Sequence, residues 1–415
     1  MSFDLDAVRA QFPALALEDN GVRRIYLDNP AGTQVPRTVA DAMSACLLSA
    51  NANLGGHFRT SQAATEIVSS ARAAMADLLN APSSDEIVFG QNMTTITMHI
   101  SRSIGRLLRP GDEIILSRMD HDANVWPWAL LATQLELEVR WLPFNTDTFE
   151  FDLDVLDDLI TERTRLLCVG GASNMTGTLN DVETICAKAK AAGVLTYIDG
   201  VQSVPHVATD VQAIGCDFLA CSPYKFFGPH QGVLWGRREL LEQLEPYKVR
   251  PATSAIPECF ETGTQSHEGF AGVKAAVDYF AWIGESMAGA SSGRPALRAA
   301  MDMLFAYEKL LATQLIEGLL DIDGVTVQGV TSPDAMERRV PTVAFTHDKV
   351  APGYIAESLA KENIFVWNGH YYAVEVAKAL NIHEAGGAVR IGPVHYNSAE
   401  EIDELLAALR RILSA

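Results

Sequence analysis

Between residues 86 and 236 the chain repeats one pattern, a short apolar run followed by a longer stretch in which apolar residues have helical spacing. The apolar runs are, in order, EIVFG, DEIILS, LEVRWL, RLLCVG, LTYID, FLACS and VLWG. Their length and composition indicate buried strands, and the stretches between them indicate helices. Because strands that alternate with helices form βαβ units, the sequence predicts an α/β fold with a mainly parallel seven-stranded sheet.

A second and smaller α/β pattern follows the glycine-rich stretch GESMAGASSGRPA. Its predicted strands are VTVQG, PTVAFT, NIFVW and AVRIG. Its predicted helices lie at 297–320, 352–361 and 399–413. Since 415 residues exceed one typical domain of roughly 100–200 residues, we predict an N-terminal arm at 1–24, a large domain at 25–290 and a small C-terminal domain at 291–415.

The charge of the chain limits the partners that it can bind. Its net charge of −20 disfavours the phosphate backbone of nucleic acids and anionic membranes, which attract basic surfaces. The first residues lack the basic and apolar regions of a secretory leader, and no apolar run approaches the roughly 20 residues of a membrane helix. We therefore expect a soluble, cytoplasmic protein that acts on a small molecule and binds neither nucleic acid nor a membrane.

The cysteines give no sign of a disulfide or zinc framework. None of them has CxxC spacing, and several lie in apolar runs, which indicates buried free thiols. They are Cys46, Cys168, Cys186, Cys216, Cys221 and Cys259.

Two polar residues follow neighbouring strands of the predicted sheet. Asp199 ends the strand LTYID, and Lys225 lies in the short loop after FLACS. Ligands of open α/β sheets bind at the carboxyl ends of strands, so both side chains can face one crevice. Pyridoxal 5'-phosphate (PLP) requires such a pair, a lysine that forms a Schiff base and an acid that keeps the pyridine nitrogen protonated. Taken alone, the pair also fits an Asp at the end of a buried strand and a solvated loop lysine.

Several motifs in order resemble the class V aminotransferase superfamily, and within it the cysteine desulfurase and selenocysteine lyase group. They are YLDNPAGTQVP, MDHDANVWPW, SNMTGT and VRIGPVHYN, together with the stretch from Leu195 to Gly236. The resemblance implies the PLP-dependent transferase fold type I, an N-terminal arm that packs with the small domain, and PLP as the cofactor. It also implies a homodimer, because Thr264 in ETGTQ matches a residue that reaches the phosphate of the neighbouring subunit.

The same resemblance assigns the remaining cofactor contacts. Lys225 and Asp199 take the roles described above, and His121 stacks on the pyridine ring. The phosphate contacts are implied for Thr94, Thr95, Ser222 and Tyr224, and contacts near the phenolic oxygen or the Schiff base for Asn174 and Gln202.

Without the resemblance these residues have plainer interpretations. Thr94 and Thr95 at a helix start fit simple N-caps as well as phosphate ligands, and Asn174 and Gln202 fit turns or caps. His121 in an acidic loop suggests a metal, but no second histidine has ligand spacing, and we expect no metal site.

The resemblance also implies three residues on the substrate side of the site. Arg390 matches the arginine that binds the substrate α-carboxylate, for which a guanidinium offers a planar fork. His57 is a weaker candidate, since its loop is one residue shorter than in typical desulfurases. Tyr372 stands where desulfurases carry the cysteine that takes sulfur as a persulfide, and no cysteine follows Cys259.

A phenol cannot accept sulfur, because persulfide formation requires a thiolate. We therefore expect a PLP-dependent C–S lyase that acts by β-elimination on an amino acid and forms no persulfide. An aminotransferase or an amino-acid epimerase or racemase is the alternative within the family. A non-catalytic PLP-fold binding protein is the alternative outside it, although Lys225, His121, Asp199 and Arg390 are all present.

Overall fold

The computed structural model describes residues 3–414. The N-terminal region contains three helices and three short strands, which are α1 (Leu5–Arg9), β1 (Glu18–Asp19), β2 (Val22–Arg23), β3 (Ile25–Tyr26), α2 (Arg37–Ser49) and α3 (Arg59–Leu79). Arg9 and Arg23 form ion pairs with Glu401 near the C-terminus, at 3.0 and 3.1 Å. Val8 and Phe12 are buried in the main core. The arm is therefore held both by ion pairs to a residue near the C-terminus and by apolar packing in the main core.

All seven strands predicted for the large sheet form, and they lie in one sheet. They are β4 (Ile87–Gly90), β5 (Glu113–Ser117), β6 (Glu138–Leu142), β7 (Thr164–Gly170), β8 (Leu195–Asp199), β9 (Phe218–Cys221) and β10 (Gly232–Gly236). Their order is β4-β10-β9-β8-β7-β5-β6, and only β10 runs antiparallel to its neighbours. This confirms the predicted α/β fold with a mainly parallel sheet.

Helices cover both faces of this sheet. They are α4 (Met93–Gly105), α5 (Trp126–Leu135), α6 (Leu153–Leu159), α7 (Val182–Ala191), α8 (Val211–Ile214), α9 (Arg238–Gln243) and α10 (His267–Ser286). Successive residues of a strand point to opposite faces, so Ile115 joins one hydrophobic core while Ile114 and Leu116 join the other. Burial on both faces explains why these strands are almost continuously apolar.

The C-terminal part contains a four-stranded antiparallel sheet and four helices. The elements are α11 (Arg294–Leu320), β11 (Val325–Gln328), β12 (Val343–His347), α12 (Pro352–Ala360), β13 (Ile364–Phe365), β14 (Trp367–Gly369), α13 (Val374–Ala379), β15 (Ala388–Ile391) and α14 (Ala399–Leu413). The sheet order is β11-β12-β15-β14. Leu297 and Leu304 of α11 pack into the main core, and Leu311 and Leu319 into the core of the small sheet, so one helix joins both units.

Three boundaries differ from the predicted ones. The run NIFVW forms two strands, because β13 pairs with β3 while β14 pairs with β15. The helical spacing after the strand DEIILS predicts a helix at 123–134, whereas α5 starts at Trp126 after a short 3-10 turn, and Pro127 lies in its first turn, where proline is tolerated. The glycine-rich loop is shorter than predicted, since α10 continues to Ser286 and α11 begins at Arg294. The domain limit near residue 290 stays a prediction.

None of the helices within residues 3–414 is both long enough and apolar enough to cross a membrane.

The crossing of α10 and α11 supplies a test of the packing. A Cβ added to Gly284 would overlap the carbonyl oxygen of Ala296. Alanine is a better helix former than glycine by about 1 kcal/mol, but overpacking costs about 1–3 kcal/mol. We predict that Gly284→Ala lowers the free energy of unfolding, measured by urea denaturation followed by circular dichroism. Ser286→Ala, at the exposed end of the same helix, should change it by less than about 0.5 kcal/mol. A Gly284→Ala protein as stable as the wild type would contradict the close approach of α10 and α11 at Gly284 and Ala296.

Candidate active site

A cavity of about 260 Å³ opens at the carboxyl ends of the central strands. Gly170 of β7 and Asp199 of β8 line it, as does Ser222 immediately after β9. Most of the residues predicted for the site share this cavity. They are Thr94, His121, Asn174, Asp199, Gln202, Ser222, Tyr224, Lys225, Tyr372 and Arg390.

Lys225 lies at the end of a 3-10 turn that follows β9. Its Nζ donates hydrogen bonds to the carbonyl oxygens of Pro30 and of Ala31, the latter at 2.9 Å. Burial, together with the nearby charge of Arg390, lowers the pKa of the Lys225 ammonium to about 7, although the carboxylates of Asp28 and Asp199 oppose this shift. A substantial fraction of the amine is therefore neutral, and hence nucleophilic, at neutral pH.

Asp199 is the last residue of β8 and is buried. Its Oδ1 accepts a hydrogen bond from the Val201 N–H at 2.9 Å. Burial raises the pKa of the Asp199 carboxyl to about 6, while the Val201 N–H and the charge of Lys225 oppose this rise. A desolvated carboxylate of this kind gains most from a cationic N–H partner within the cavity.

His121 caps the 3-10 turn at Asp122–Asn124, and its Nδ1 accepts a hydrogen bond from the Ala123 N–H at 2.9 Å. Burial lowers the pKa of the imidazole to about 3, with contributions from the charges of Lys225 and Arg390. The ring is therefore neutral and can stack on a planar group. Within residues 3–414, no group of three or more His, Cys, Asp or Glu side chains is placed to hold a metal ion.

Arg390 projects from β15 and is buried. Its Nη1 donates to the Asn174 carbonyl oxygen at 2.9 Å, and its Nη2 lies 3.7 Å from Asp28 Oδ1. The guanidinium carbon lies 4.3 Å from the centre of the Tyr371 ring. These contacts fix the guanidinium while leaving its Nε without a partner among the described residues.

The loop that follows β14 carries unusual backbone angles beside this arginine. Tyr371 and Tyr372 have φ values of +53° and +60°, which cost a residue with a side chain roughly 1–3 kcal/mol each. The Asn174 Nδ2 donates to the Tyr371 carbonyl at 2.8 Å, and the Asp122 N–H to the Tyr372 carbonyl at 2.8 Å. Residues of the site therefore hold this loop in place over the cavity.

Sequence reasoning did not assign a role to several cavity residues, among them Pro30, Asp120, Trp367 and Tyr371. Pro30 takes part through its backbone carbonyl, and the sequence does not indicate which carbonyl groups accept hydrogen bonds in a site. Asp120 was seen only as part of an acidic loop, yet it accepts hydrogen bonds from the Gly170 N–H at 2.9 Å and from Asn124 at 2.7 Å. Burial raises the pKa of its carboxyl to about 7. Its position shortly after β5, at the carboxyl edge of the sheet, was the available signal.

Three predicted residues lie outside the cavity. Thr95 donates its backbone N–H and its hydroxyl to Asn92 Oδ1 at 2.8 and 2.9 Å, which matches the simpler interpretation as part of a helix cap. It lines a second cavity with His99 and Gln265. Thr264 and His57 do not line the main cavity. Contacts of these three with a cofactor or substrate stay predictions.

The residues present fit PLP. Met93 and Thr94 begin α4 and line the cavity, so backbone N–H groups without helical partners are available for a phosphate, beside Ser222. Asp199 suits the pyridine nitrogen, His121 the ring face and Lys225 the aldehyde carbon. Asn174 Oδ1 is buried without a hydrogen-bond partner among the described residues, a cost of about 1–3 kcal/mol that a bound ligand would remove.

The cysteines lie elsewhere. All six are buried, and among the residues that the structure describes none lines the main cavity. Burial raises the pKa of the Cys186 thiol to about 12 and the pKa values of Cys168 and Cys221 as well. These thiols are protonated and inaccessible to a substrate in the cavity.

Comparison with known proteins gives one consistent result. The sequence profile of the family described as Aminotransferase class-V matches residues 25–405. Cysteine desulfurases of Yersinia pestis (strain Pestoides F) and Pectobacterium atrosepticum are 32% and 33% identical, each over 99% of this chain and over 99% and 98% of their own lengths.

Solved structures that resemble the chain are likewise cysteine desulfurases. The apo structure of a cysteine desulfurase from Thermococcus onnurineus NA1 superposes with a TM-score of 0.88 at 28% identity and covers 100% of both chains. The cysteine desulfurase CsdA from Escherichia coli has a TM-score of 0.85 at 30% identity and covers 100% of this chain and 99% of its own.

The lowered pKa of Lys225 predicts how the cofactor-free protein takes up PLP. Covalent attachment needs the neutral amine, so its rate should rise between about pH 6 and 8 and level off above, whereas an ordinary lysine with a pKa near 10.4 would still be rising. Stopped-flow absorbance in the visible measures this rate, and Lys225→Ala should show no covalent band.

Replacing Arg390 tests whether its charge contributes to the lowered pKa of Lys225. Arg390→Met removes a cation that disfavours the lysine cation, so the midpoint should move to higher pH. Arg118→Met, which removes a half-exposed arginine from outside the cavity, should leave the midpoint unchanged. A wild-type midpoint above about pH 9 would contradict the assignment.

Proposed function

The chain belongs to the class V aminotransferase family of PLP-dependent enzymes, and we propose that it is a cysteine desulfurase-like lyase that acts by β-elimination and forms no persulfide. The single observation that carries the proposal is the content of the cavity. Lys225, Asp199 and Arg390 share it with the ring of Tyr372, while the six thiols lie outside it.

The arrangement supports an α-amino acid as substrate. The Arg390 guanidinium is desolvated and already oriented by the Asn174 carbonyl, and its Nε is free to donate to an α-carboxylate. Two parallel N–H···O bonds of this kind give both affinity and a fixed direction. The carboxylate held there orients the amino group and Cα over the centre of the cavity, toward Lys225.

Lys225 is the proposed proton carrier. With PLP and substrate bound, a Lys225 amine released from the cofactor would be the group placed to accept a proton from Cα, and the burial that lowers its pKa to about 7 in the cofactor-free cavity favours the neutral form that this role requires. PLP, when bound, supplies the electron sink that makes this proton acidic, and Asp199 keeps the sink effective by holding the pyridine nitrogen protonated.

The proposed reaction then breaks the bond from Cβ to its substituent. The electron pair left at Cα forms a Cα=Cβ double bond, and the substituent leaves with the bonding pair and takes up one proton. The released enamine tautomerises to an imine, and water converts it to pyruvate and ammonia. For a cysteine conjugate the overall change is conjugate plus water to pyruvate, ammonia and a thiol, with no external oxidant or reductant.

The location of the thiols supports the absence of a persulfide step. A thiolate must reach the substrate sulfur to within roughly 3–3.5 Å for direct transfer. The cysteines are buried in the cores of the sheet and helices, and burial keeps Cys186, Cys168 and Cys221 protonated by raising their pKa values. Transamination and epimerisation begin with the same proton transfer and differ only in where a proton returns, so product analysis separates them from elimination.

We expect the holoenzyme to convert S-substituted L-cysteines or their sulfoxides to pyruvate and ammonia in equal amounts. L-cysteine itself should yield little alanine and no protein persulfide, because no thiol reaches its sulfur. Lactate dehydrogenase coupling measures the pyruvate, and intact-protein mass spectrometry measures the persulfide. Lys225→Ala should lose the activity by at least about 10³-fold, since it removes the proton carrier.

Two other outcomes would contradict elimination. Alanine formed in equal amount with a persulfide on any of the six cysteines would establish a desulfurase. Accumulation of the pyridoxamine form of the cofactor together with a keto acid would establish an aminotransferase.

A homodimer is the second part of the proposal. Thr264 is exposed and lies outside the cavity of its own subunit, next to the second cavity lined by Thr95, His99 and Thr262. We propose that it donates a hydrogen bond to the phosphate bound by the other subunit.

Thr264→Ala should therefore weaken PLP binding by roughly tenfold or more, because hydrogen bonds to charged groups are the stronger ones. Thr253→Ala, another exposed threonine, is the matched control and should bind PLP normally. Ultracentrifugation together with PLP titration tests this, and a monomer with full PLP affinity would refute the shared site.

A further inference from the structure

The entrance of the cavity carries two large aromatic side chains that the reaction described above does not use. Trp367 and Tyr372 both line the cavity, and they are 57% and 67% exposed. Two exposed aromatic rings at one entrance are unusual for residues of this size and indicate a surface that contacts a ligand.

Strand pairing sets the position of Trp367. It lies directly opposite Arg390 in the antiparallel ladder of β14 and β15. Directly opposite residues project from the same face of a sheet, with Cβ atoms about 4.5–5.5 Å apart. The indole of Trp367 therefore stands beside the place where Arg390 is proposed to hold the α-carboxylate.

Tyr372 stands at the same entrance because its backbone is fixed. Tyr371 and Tyr372 both have left-handed backbone angles, but their rings differ in burial. Tyr371 is buried and packs against Arg390, whereas Tyr372 remains exposed, with its ring centre 5.4 Å from that of His121. The Asp122 N–H donates to the Tyr372 carbonyl at 2.8 Å, and a residue held in a strained conformation beside the site is expected to serve a function there.

We propose that Trp367 and Tyr372 form an aromatic subsite for the substituent that leaves from Cβ. This inference rests on the proposed function, because it concerns the substrate of the same site. With the carboxylate at Arg390 and Cα above Lys225, a ring attached through sulfur or oxygen to Cβ extends toward the entrance. There it gains ring–ring contacts that a small alkyl group cannot make. The substrate class is accordingly amino acids with an aromatic β-substituent, such as S-benzyl-L-cysteine.

The test compares S-benzyl-L-cysteine with S-methyl-L-cysteine on the holoenzyme, by pyruvate release and by equilibrium titration of the cofactor absorbance. The wild type should favour the benzyl compound by about tenfold or more in kcat/KM and in binding. Tyr372→Ala and Trp367→Ala should each reduce this preference by several-fold to tenfold. Tyr372→Phe should keep it, because the ring and not the hydroxyl makes the contact.

Tyr354→Ala is the matched control, since Tyr354 is 58% exposed on α12 and does not line the cavity. Equal binding and turnover of the two compounds by the wild type would overturn the subsite. So would an unchanged preference in both alanine variants. Tighter binding of the benzyl compound without pyruvate from either would uphold the subsite and reject β-elimination, so the two proposals fail in distinguishable ways.

Discussion

The burial of charged groups at the carboxyl edge of the large sheet is the constraint on which the site depends. Lys225, Asp199 and Arg390 are desolvated in one cavity, and burial shifts the pKa of each toward its neutral form. Such groups are costly unless they have partners, and the contacts observed leave some polar atoms unpaired. The fold therefore maintains a cavity whose buried charges would be balanced by the protonated ring nitrogen of PLP and by a substrate carboxylate, in the roles proposed above.

A single turn connects the two halves of this cavity. Lys225 and Gln202 both donate to the Pro30 carbonyl, the latter at 2.9 Å. The other side of the turn is tied to the small sheet, because Asn29 donates to the Gly392 carbonyl at 2.7 Å. A side chain at position 392 would overlap Pro30. The lysine and the end of the strand that carries Arg390 thus hold the same short segment, which fixes the distance between the residue proposed for cofactor chemistry and the residue proposed for substrate recognition.

Much of this arrangement could be predicted from the sequence. The strands of the large sheet are buried on both faces, so they stand out as apolar runs, and polar residues that follow them lie at one edge. This logic located Asp199 and Lys225. The split of NIFVW into two strands could not be predicted, because it depends on β13 finding a partner in β3, more than 300 residues away. The Pro30 carbonyl was missed for a similar reason, since a backbone acceptor has no sequence signal.

The central claim is that PLP is bound covalently by Lys225 in this cavity. Borohydride reduction of the holoenzyme followed by peptide mass spectrometry tests it most directly, because reduction makes the linkage permanent. We predict one pyridoxyl-phosphate group per chain, on the peptide that contains Lys225, and its loss when an amino acid substrate is added before reduction. A label on any other lysine, or a label that the substrate does not displace, would contradict the account.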